Sequence, residues 1–141
     1  MAGIDVVDVR TGERRSLAEQ DGLPGGLRVG PHRFDETAIA WGRDRLDAAC
    51  PCDILVVDEI GPLELERGAG WVNALRVLRV GDYRVAVIVV RPRLVEAVRA
   101  ALGALPGTTV VERSVETAGD AVSELLSLVV DDDGHGRLPA D

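Results

Sequence analysis

Residues 54–59 read Ile54-Leu55-Val56-Val57-Asp58-Glu59, four apolar residues followed by two acids. A continuous apolar run is typical of a parallel strand that is buried on both of its faces. The carboxyl ends of such strands form the edge at which open α/β sheets bind their ligands. The run therefore predicts a central strand of an α/β domain, with Asp58 and Glu59 at the ligand-binding edge.

Downstream of this strand, apolar strands alternate with amphipathic helices. Strands that alternate with amphipathic helices form right-handed βαβ units. The pattern predicts a three-layer α/β domain with a mainly parallel sheet that includes strands 54–57, 85–90 and 108–111. The predicted elements are a helix over Trp71–Val80, a strand over Val85–Val90, a helix that begins at Pro92, a turn at Pro106-Gly107, a strand over Thr108–Val111 and a helix over Thr117–Val130.

The first third of the chain has a different pattern, which predicts an antiparallel hairpin near the N-terminus. A β-branched run from Ile4 to Val9 ends in the turn signal Thr11-Gly12, and Glu13–Leu17 can form the returning strand. Leu27–Phe34 is short and mixed, which favours an edge strand. The remaining predicted features are a loop over Gly22–Gly26, an N-cap at Asp35, a helix over Glu36–Ala49 and a helix stop at Cys50-Pro51-Cys52.

Length and charge limit the classes of protein to which the chain can belong. Its 141 residues suit a single hydrophobic core, and we expect one domain over residues 1–130 and a disordered acidic tail over residues 131–141. The net charge of −8 argues against nucleic-acid or anionic-membrane partners, which require a basic face. No run approaches the roughly 18 apolar residues of a membrane span, and no signal-peptide pattern opens the sequence. We therefore expect a cytoplasmic protein.

The two cysteines, Cys50 and Cys52, are separated only by Pro51. Cysteines so close in sequence are a poor disulfide pair, and a zinc site requires two further ligands. The two histidines, His32 and His135, lie far away in sequence. The pattern favours two inert thiols at a helix end in a reducing compartment over a metal site.

The two acids at the end of the strand form a Walker B arrangement, which points to Mg²⁺-dependent nucleotide chemistry. Asp58 is predicted to hold a Mg²⁺ ion, directly or through water, because hard cations prefer oxygen ligands. Glu59 is predicted to orient or deprotonate the attacking water. The turn Gly61-Pro62 and a third acid, Glu64, follow at the same edge. The alternative is structural, since apolar strands that end in an acid are common in proteins without catalytic roles.

The octapeptide Asp58-Glu59-Ile60-Gly61-Pro62-Leu63-Glu64-Leu65 resembles the signature of the thermophilic-type nucleoside triphosphatases, also called cancer-related nucleoside triphosphatases. In that family the motif reads Asp-Glu-Ile-Gly-Pro/Lys-Met/Leu-Glu-Leu. The resemblance implies a P-loop NTPase-like fold and Mg²⁺-dependent hydrolysis of a nucleoside triphosphate to the diphosphate and phosphate. It covers about residues 3–128, and its other parts are Gly3-Ile4-Asp5-Val6-Val7 with Thr11-Gly12-Glu13, Val29-Gly30 with Phe34-Asp35, and Val89-Val90-Arg91-Pro92 with Leu94-Val95.

The sequence departs from that family at its beginning. The family starts with a strand, a Gly-x-x-Gly-x-Gly-Lys-Thr/Ser loop and a helix, whereas these 141 residues contain no such loop, and all 16 basic residues are arginine. Without the loop, a triphosphate lacks its cradle of backbone N–H groups, its lysine and a hydroxyl ligand for Mg²⁺. The missing strand is expected beside Asp58, with a helix that covers it. We therefore expect a chain that is inactive alone and that binds Mg²⁺ and nucleotide only when a P-loop is supplied. The expected partners are a P-loop-bearing chain, which would supply the loop, or a second copy of this one, which would cover the apolar face left exposed by the incomplete sheet.

Residues outside the Walker B pair complete the predicted nucleotide site. Arg91 follows the next strand and is predicted to reach the γ-phosphate, with a solvated strand-end residue as the alternative. Arg113 follows the third strand and is predicted to border the nucleotide base, with the same alternative. Glu64 is predicted to contact the nucleotide or its metal. Trp41 and Trp71 are expected in the core or an interface rather than as base-stacking platforms.

Three functions stay open on the sequence alone. The first is a nucleoside triphosphatase without its P-loop. The second is a non-catalytic interaction module that keeps the sheet and uses an exposed sheet edge for strand addition or dimerisation. The third is a Mg²⁺-dependent phosphoesterase built on Asp58, Glu59 and Glu64, although the sequence offers no second acidic cluster at another strand end.

Overall fold

The computed structural model describes residues 3–20 and 26–105, together with five isolated residues nearer the C-terminus. Arg113, the predicted strand Thr108–Val111, the tail 131–141 and nearly all of the predicted loop Gly22–Gly26 lie outside the described residues. Of the predicted closing helix, Val122, Ser123 and Ser127 are described, and all three are helical.

The described residues form six strands and four α-helices, in an order that changes from antiparallel hairpins to strand–helix alternation. Among them, no helix is long and apolar enough to cross a membrane. The elements are β1 (Gly3–Val7), β2 (Arg14–Gln20), β3 (Leu27–Val29), β4 (His32–Phe34), α1 (Glu36–Asp47), β5 (Cys52–Ile60), α2 (Pro62–Leu65), α3 (Ala74–Val80), β6 (Tyr83–Val90) and α4 (Val95–Leu102), the last preceded by a 3₁₀ turn over Pro92–Leu94.

The N-terminal strands form an antiparallel sheet with the order β1-β2-β4-β3. The first hairpin was expected and is confirmed, with Val7 opposite Arg14 at its closed end. The expected single strand Leu27–Phe34 is instead a second hairpin, in which β3 pairs antiparallel with β4. Its turn contains Gly30 at φ +59 followed by Pro31, and a left-handed glycine before a proline reverses the chain rather than extending it.

The two apolar strands β5 and β6 pair in parallel, as predicted. Their register runs from Cys52 opposite Tyr83 to Asp58 opposite Val89. Within the described ranges, parallel pairing joins only these two strands, and the other four are antiparallel. The predicted mainly parallel sheet is therefore seen as one parallel pair beside an antiparallel sheet.

One face of the parallel pair is covered by helices and the other is exposed. On the covered face, Leu55, Val57 and Ile60 of β5 are buried against α3 and α4. On the opposite face, the side chains of Ile54 and Val56 are both 43% exposed. A second cluster, formed by Leu17, Ala38 and Ile39, joins β2 to α1. The helical residues of the first core are Ala74, Val77, Leu78, Val98 and Leu102.

The helix boundaries follow local capping chemistry where it is available. Asp35 caps α1 as predicted, since its Oδ1 accepts the backbone N–H of Thr37 at 2.7 Å. Helix α3 begins at Ala74 rather than at the predicted Trp71, which lies in the turn before the helix and donates its N–H to Glu64 at 2.9 Å. Asn73, which precedes α3, uses its side-chain amide to bond the Arg43 carbonyl instead of capping the helix.

Candidate active site

The end of β5 presents its two acids at the carboxyl edge of the parallel pair. Ile60, which follows them, is completely buried and anchors the strand end in the core. The peptide between Asp58 and Glu59 is cis, and the pairing register with β6 shifts between Asp58 and Ile60. Asp58 lies at the end of the face that exposes Ile54 and Val56, because residues two apart on a strand share a face. The strand therefore places the Asp58 carboxylate at an exposed edge, as the sequence predicts.

The second predicted catalytic residue, Arg91, lies against Glu59. Its Nε is 2.5 Å from Glu59 Oε1, and the two side chains are 57% and 37% exposed. The contact arises because Arg91 directly follows β6 and Glu59 is the next-to-last residue of β5, so parallel pairing brings the two strand ends together. A pair this exposed contributes little to stability. Its consequence is that the Arg91 guanidinium lies directly beside the Glu59 carboxylate.

A second ion pair lies next to the first. Arg93 Nη1 is 3.7 Å from Glu66 Oε1, and both side chains are more than half exposed. These two pairs connect the segment after β5 with the turn after β6. Arg93 was not among the predicted site residues, and its exposure and long distance are those of an ordinary surface pair.

Glu64 lies at the same edge, but its carboxylate faces the chain that surrounds it. Its Oε2 accepts the N–H of Gly61 and its Oε1 accepts the N–H of Trp71, both at 2.9 Å. Both oxygens are thus hydrogen-bonded to backbone at the two ends of one loop. The predicted contact of Glu64 with nucleotide stays a prediction.

The residues present fit a Mg²⁺ site only in part. Asp58 makes no ion pair or side-chain hydrogen bond with the described residues, so its carboxylate is free to act as an oxygen ligand. In the described part of the chain, no group of three or more His, Cys, Asp or Glu side chains could hold a metal ion by itself. Mg²⁺ commonly binds through one or two carboxylates together with water and substrate phosphates. The arrangement therefore fits a nucleotide-dependent Mg²⁺ site rather than an all-protein one.

A cavity of about 580 Å³ lies along β5 and reaches Asp58. The segment Asp5–Thr11, helix α1 and β5 line it. Trp41 contributes to the lining but is buried, with the guanidinium groups of Arg15 and Arg45 at 4.7 and 5.7 Å from its ring centroid. Its packing agrees with the expected core or interface position.

The other tryptophan, Trp71, packs on helix α1. A Cβ at position 42 would overlap the Trp71 indole nitrogen, so Gly42 leaves the space that this ring occupies. The indole therefore ties the segment after β5 to α1, and it also agrees with the expected packing role.

The two cysteines lie at the start of β5, away from the acidic edge. Both are free thiols. Burial, followed by the neighbouring Cys50, raises the pKa of the Cys52 thiol. A raised pKa keeps the thiol protonated at neutral pH, so Cys52 is a poor nucleophile.

The loop closure by Glu64 was not predicted from the sequence. The signal that was available is the spacing Gly61-Pro62-x-Glu64, in which an acid at the third helical position reaches back to the residue before the helix. The partner at Trp71 had no local signal, because it lies seven residues further along the chain.

Comparison with known proteins agrees with the resemblance noted in the sequence. A family model described as NTPase matches residues 1–111. The chain belongs to this NTPase family. Membership of this family implies a P-loop NTPase fold. The mixture of helices and strands and the parallel pair β5–β6 agree with that fold class.

A curated relative is the protein named nucleoside-triphosphatase THEP1 from Methanosarcina barkeri (strain Fusaro / DSM 804). It is 31% identical over 90 residues, which are 63% of this chain and 50% of the relative. The match thus spans about half of the relative's length. No solved structure matches the chain significantly.

Proposed function

We propose that this chain carries the metal-binding and water-activating half of a nucleoside triphosphatase, which hydrolyses a nucleoside triphosphate to the diphosphate and phosphate once a P-loop is present. The proposal rests on the position of Asp58, Glu59 and Arg91 at the ends of the paired strands, where Arg91 lies 2.5 Å from Glu59. Family membership and the relative's name support the reaction class.

Each residue has a separate role in the proposed reaction. Asp58 holds Mg²⁺, which when bound would supply positive charge at the β- and γ-phosphates. Glu59 orients the attacking water and accepts its proton. Arg91 leaves Glu59 when the triphosphate arrives and stabilises charge on the γ-phosphate. Arg113 borders the base in this proposal.

The printed sequence contains neither a glycine-rich phosphate loop nor a lysine, so these groups must come from another segment. Carboxylates and Mg²⁺ alone compete poorly with water for a triphosphate. We therefore propose that the chain is inactive without a P-loop-bearing segment, supplied by the same polypeptide or by a partner chain. The same proposal includes one domain over residues 1–130 and a cytoplasmic location, and the two free thiols support a reducing compartment.

We propose that the strand of that segment pairs with the outer edge of β6, rather than lying beside Asp58 on β5 as expected from the sequence. The other side of β5 faces Asp5–Thr11 and α1 across the cavity, whereas no described residue pairs with the outer edge of β6. The apolar run of β6 is also typical of a central strand with neighbours on both sides. A helix after the added strand would cover Ile54 and Val56 and complete a three-layer sandwich.

The test supplies the segment and measures phosphate release. A strand, a Gly-x-x-Gly-x-Gly-Lys-Ser loop and a helix are fused ahead of Met1, and Mg²⁺-dependent hydrolysis of ATP and GTP is followed with nucleotide binding. Turnover should appear in the fusion and be absent from the unfused chain. Glu59→Gln should remove turnover and leave binding intact, because a water-orienting group acts mainly in the transition state.

Glu66→Gln is the matched control, since Glu66 is an exposed acid on the same segment whose ion pair within the described residues is with Arg93. It should leave turnover unchanged. Nucleotide binding without turnover in the fusion would show that Glu59 is not the catalytic base. Absence of binding would favour the second candidate, an interaction module, which the exposed apolar side chains of Ile54 and Val56 also favour.

A further inference from the structure

The segment that follows Glu59 closes on itself through one carboxylate. Glu64 accepts the N–H of Gly61 with Oε2 and the N–H of Trp71 with Oε1, each at 2.9 Å. The two donors are ten positions apart in sequence, and Glu64 is the common acceptor that holds the ends of the loop together. Hydrogen bonds from backbone N–H groups to a charged acceptor are stronger than those between neutral groups.

Glycine at position 70 is what lets the carboxylate enter the loop. Gly70 has φ +64, and a Cβ at this position would overlap Glu64 Oε1. The Gly70 carbonyl in turn accepts Arg43 Nε of helix α1 at 2.5 Å. The closed loop is therefore fixed to α1 as well as to itself.

Gly61 links this closure to Glu59. A Cβ at Gly61 would lie 3.4 Å from Glu59 Oε1 and 3.7 Å from Glu64 Oε2, so the two carboxylates flank the same residue. Ile60, between Glu59 and Gly61, is completely buried. The backbone on the C-terminal side of Glu59 is thus held by a buried side chain and then by the Glu64 hydrogen bond.

We propose that Glu64 is a positioning residue for Glu59: it closes the loop from Gly61 to Trp71 and so fixes the backbone that carries the Glu59 carboxylate, rather than binding nucleotide or metal. The role assigned to Glu59 rests on the proposed function, whereas the loop closure does not. Each Glu64 oxygen accepts one backbone N–H group, so the carboxylate is oriented by the loop backbone at both of its oxygens.

The first experiment measures amide hydrogen exchange in the isolated chain without nucleotide. In Glu64→Ala, the amides of Gly61 and Trp71 should exchange about tenfold to a hundredfold faster, the range expected for losing a hydrogen bond to a charged group. Glu64→Gln should release one of the two, because its side-chain amide offers one acceptor and otherwise donates. Glu66→Ala, the control, should change neither amide. Unchanged exchange at both amides in Glu64→Ala would overturn the proposal.

A second pair of variants opens the loop without removing the carboxylate. Gly70→Ala pushes a methyl group into Glu64, while Gly68→Ala has a similar positive φ of +59 and nothing within 4 Å of its new Cβ. Both carry the same backbone strain, so only Gly70→Ala should release the Trp71 amide. Equal effects of the two variants would contradict the closure, and this comparison holds even if Glu64→Ala fails to fold.

The last readout separates positioning from ligand binding in the P-loop fusion. Glu64→Ala should lower kcat about tenfold or more and leave KM and the Mg²⁺ requirement unchanged, since an effect on Glu59 appears in the transition state. A raised KM or Mg²⁺ requirement at unchanged kcat would show that Glu64 is a ligand and overturn the proposal. If the fusion is inactive in every form, the proposed function fails, while the exchange experiments still decide the loop closure.

Discussion

The N-terminal antiparallel sheet and the parallel pair β5–β6 obtain their order in different ways. Each antiparallel strand finds a neighbour through a nearby turn, as in the β1–β2 and β3–β4 hairpins. The strands of the parallel pair are joined through α2 and α3, and packing on those helices and α4 buries one face only. The comparison teaches that the first region is specified by local signals, whereas the second depends on packing between distant elements and leaves apolar side chains of β5 exposed.

The faces of β5 give the clearest measure of this difference. Leu55 is 3% exposed and its neighbour Ile54 is 43% exposed, although both belong to the same apolar run. A run that is apolar on both faces is typical of a strand covered on both faces. In the function proposed above, this exposed side of β5 is the face that the helix of the P-loop-bearing segment covers.

The largest expected effect tests this asymmetry directly. Leu55→Ala should lower the free energy of unfolding by about 3 kcal/mol, because it leaves a cavity in the core formed with α3 and α4. Ile54→Ala, one residue away on the other face, should cost about 1 kcal/mol or less. Urea denaturation of both variants measures the difference. Equal losses would mean that the exposed face is covered in solution, for example by self-association.

An intermediate effect on stability is expected at Asp35, the N-cap of helix α1, which lies in sequence between the two sheets. Asp35→Ala should lower the free energy of unfolding by about 1 kcal/mol at neutral pH, because it removes the N-cap of α1. A hydrogen bond from the Thr37 hydroxyl, followed by those from the Thr37 and Ala38 N–H groups, lowers the pKa of Asp35. The stabilisation is therefore present above the ordinary aspartate pKa and is lost as the pH falls through the lowered value.

The check is a pair of denaturation series at neutral and acidic pH. The difference between the wild type and Asp35→Ala should shrink below about pH 4, near the ordinary pKa of aspartate. Asp35→Asn is the control, since asparagine is an equally good N-cap without an ionisable group. A difference that stays constant down to low pH would mean that the charge of Asp35 contributes nothing to the cap.

Local signals account for what the sequence could predict. The first hairpin, the Asp35 cap, both parallel strands and the helix after Pro92 each follow from turn residues, capping residues or apolar runs. Two departures were not predictable in this way. The late start of α3, which begins after Asn73, and the loop closure by Glu64 both accompany hydrogen bonds that join separate segments, and such pairings appear only once the chain is folded.

In the candidate site, too, some features followed from local sequence signals and others did not. The sequence placed Asp58, Glu59 and Glu64 at one sheet edge, and the structure agrees on the edge. The spacing of Gly61 and Glu64 was a signal for their hydrogen bond that the prediction of a ligand role did not use, and the bond to Trp71 had no local signal. The contact of Arg91 with Glu59 follows from parallel pairing and was predictable only as proximity.

The smallest effect on stability should come from Arg91, and for this reason it separates function from folding most sharply. Arg91→Ala removes an exposed ion pair, and such pairs contribute about 0.2–1 kcal/mol. Arg93→Ala removes the neighbouring exposed pair at 3.7 Å and should have the same small effect, which makes it the matched control.

In the P-loop fusion the turnover of the two variants should diverge. Arg91→Ala should slow turnover by about a hundredfold or more, the loss typical of removing a group that stabilises transition-state charge. Arg93→Ala should leave turnover close to that of the parent fusion. Steady-state phosphate release and urea melts on the same samples measure both quantities. Equal turnover in the two variants would show that Arg91 only neutralises Glu59 at the strand end, and the parallel pair would then contribute carboxylates alone to the site.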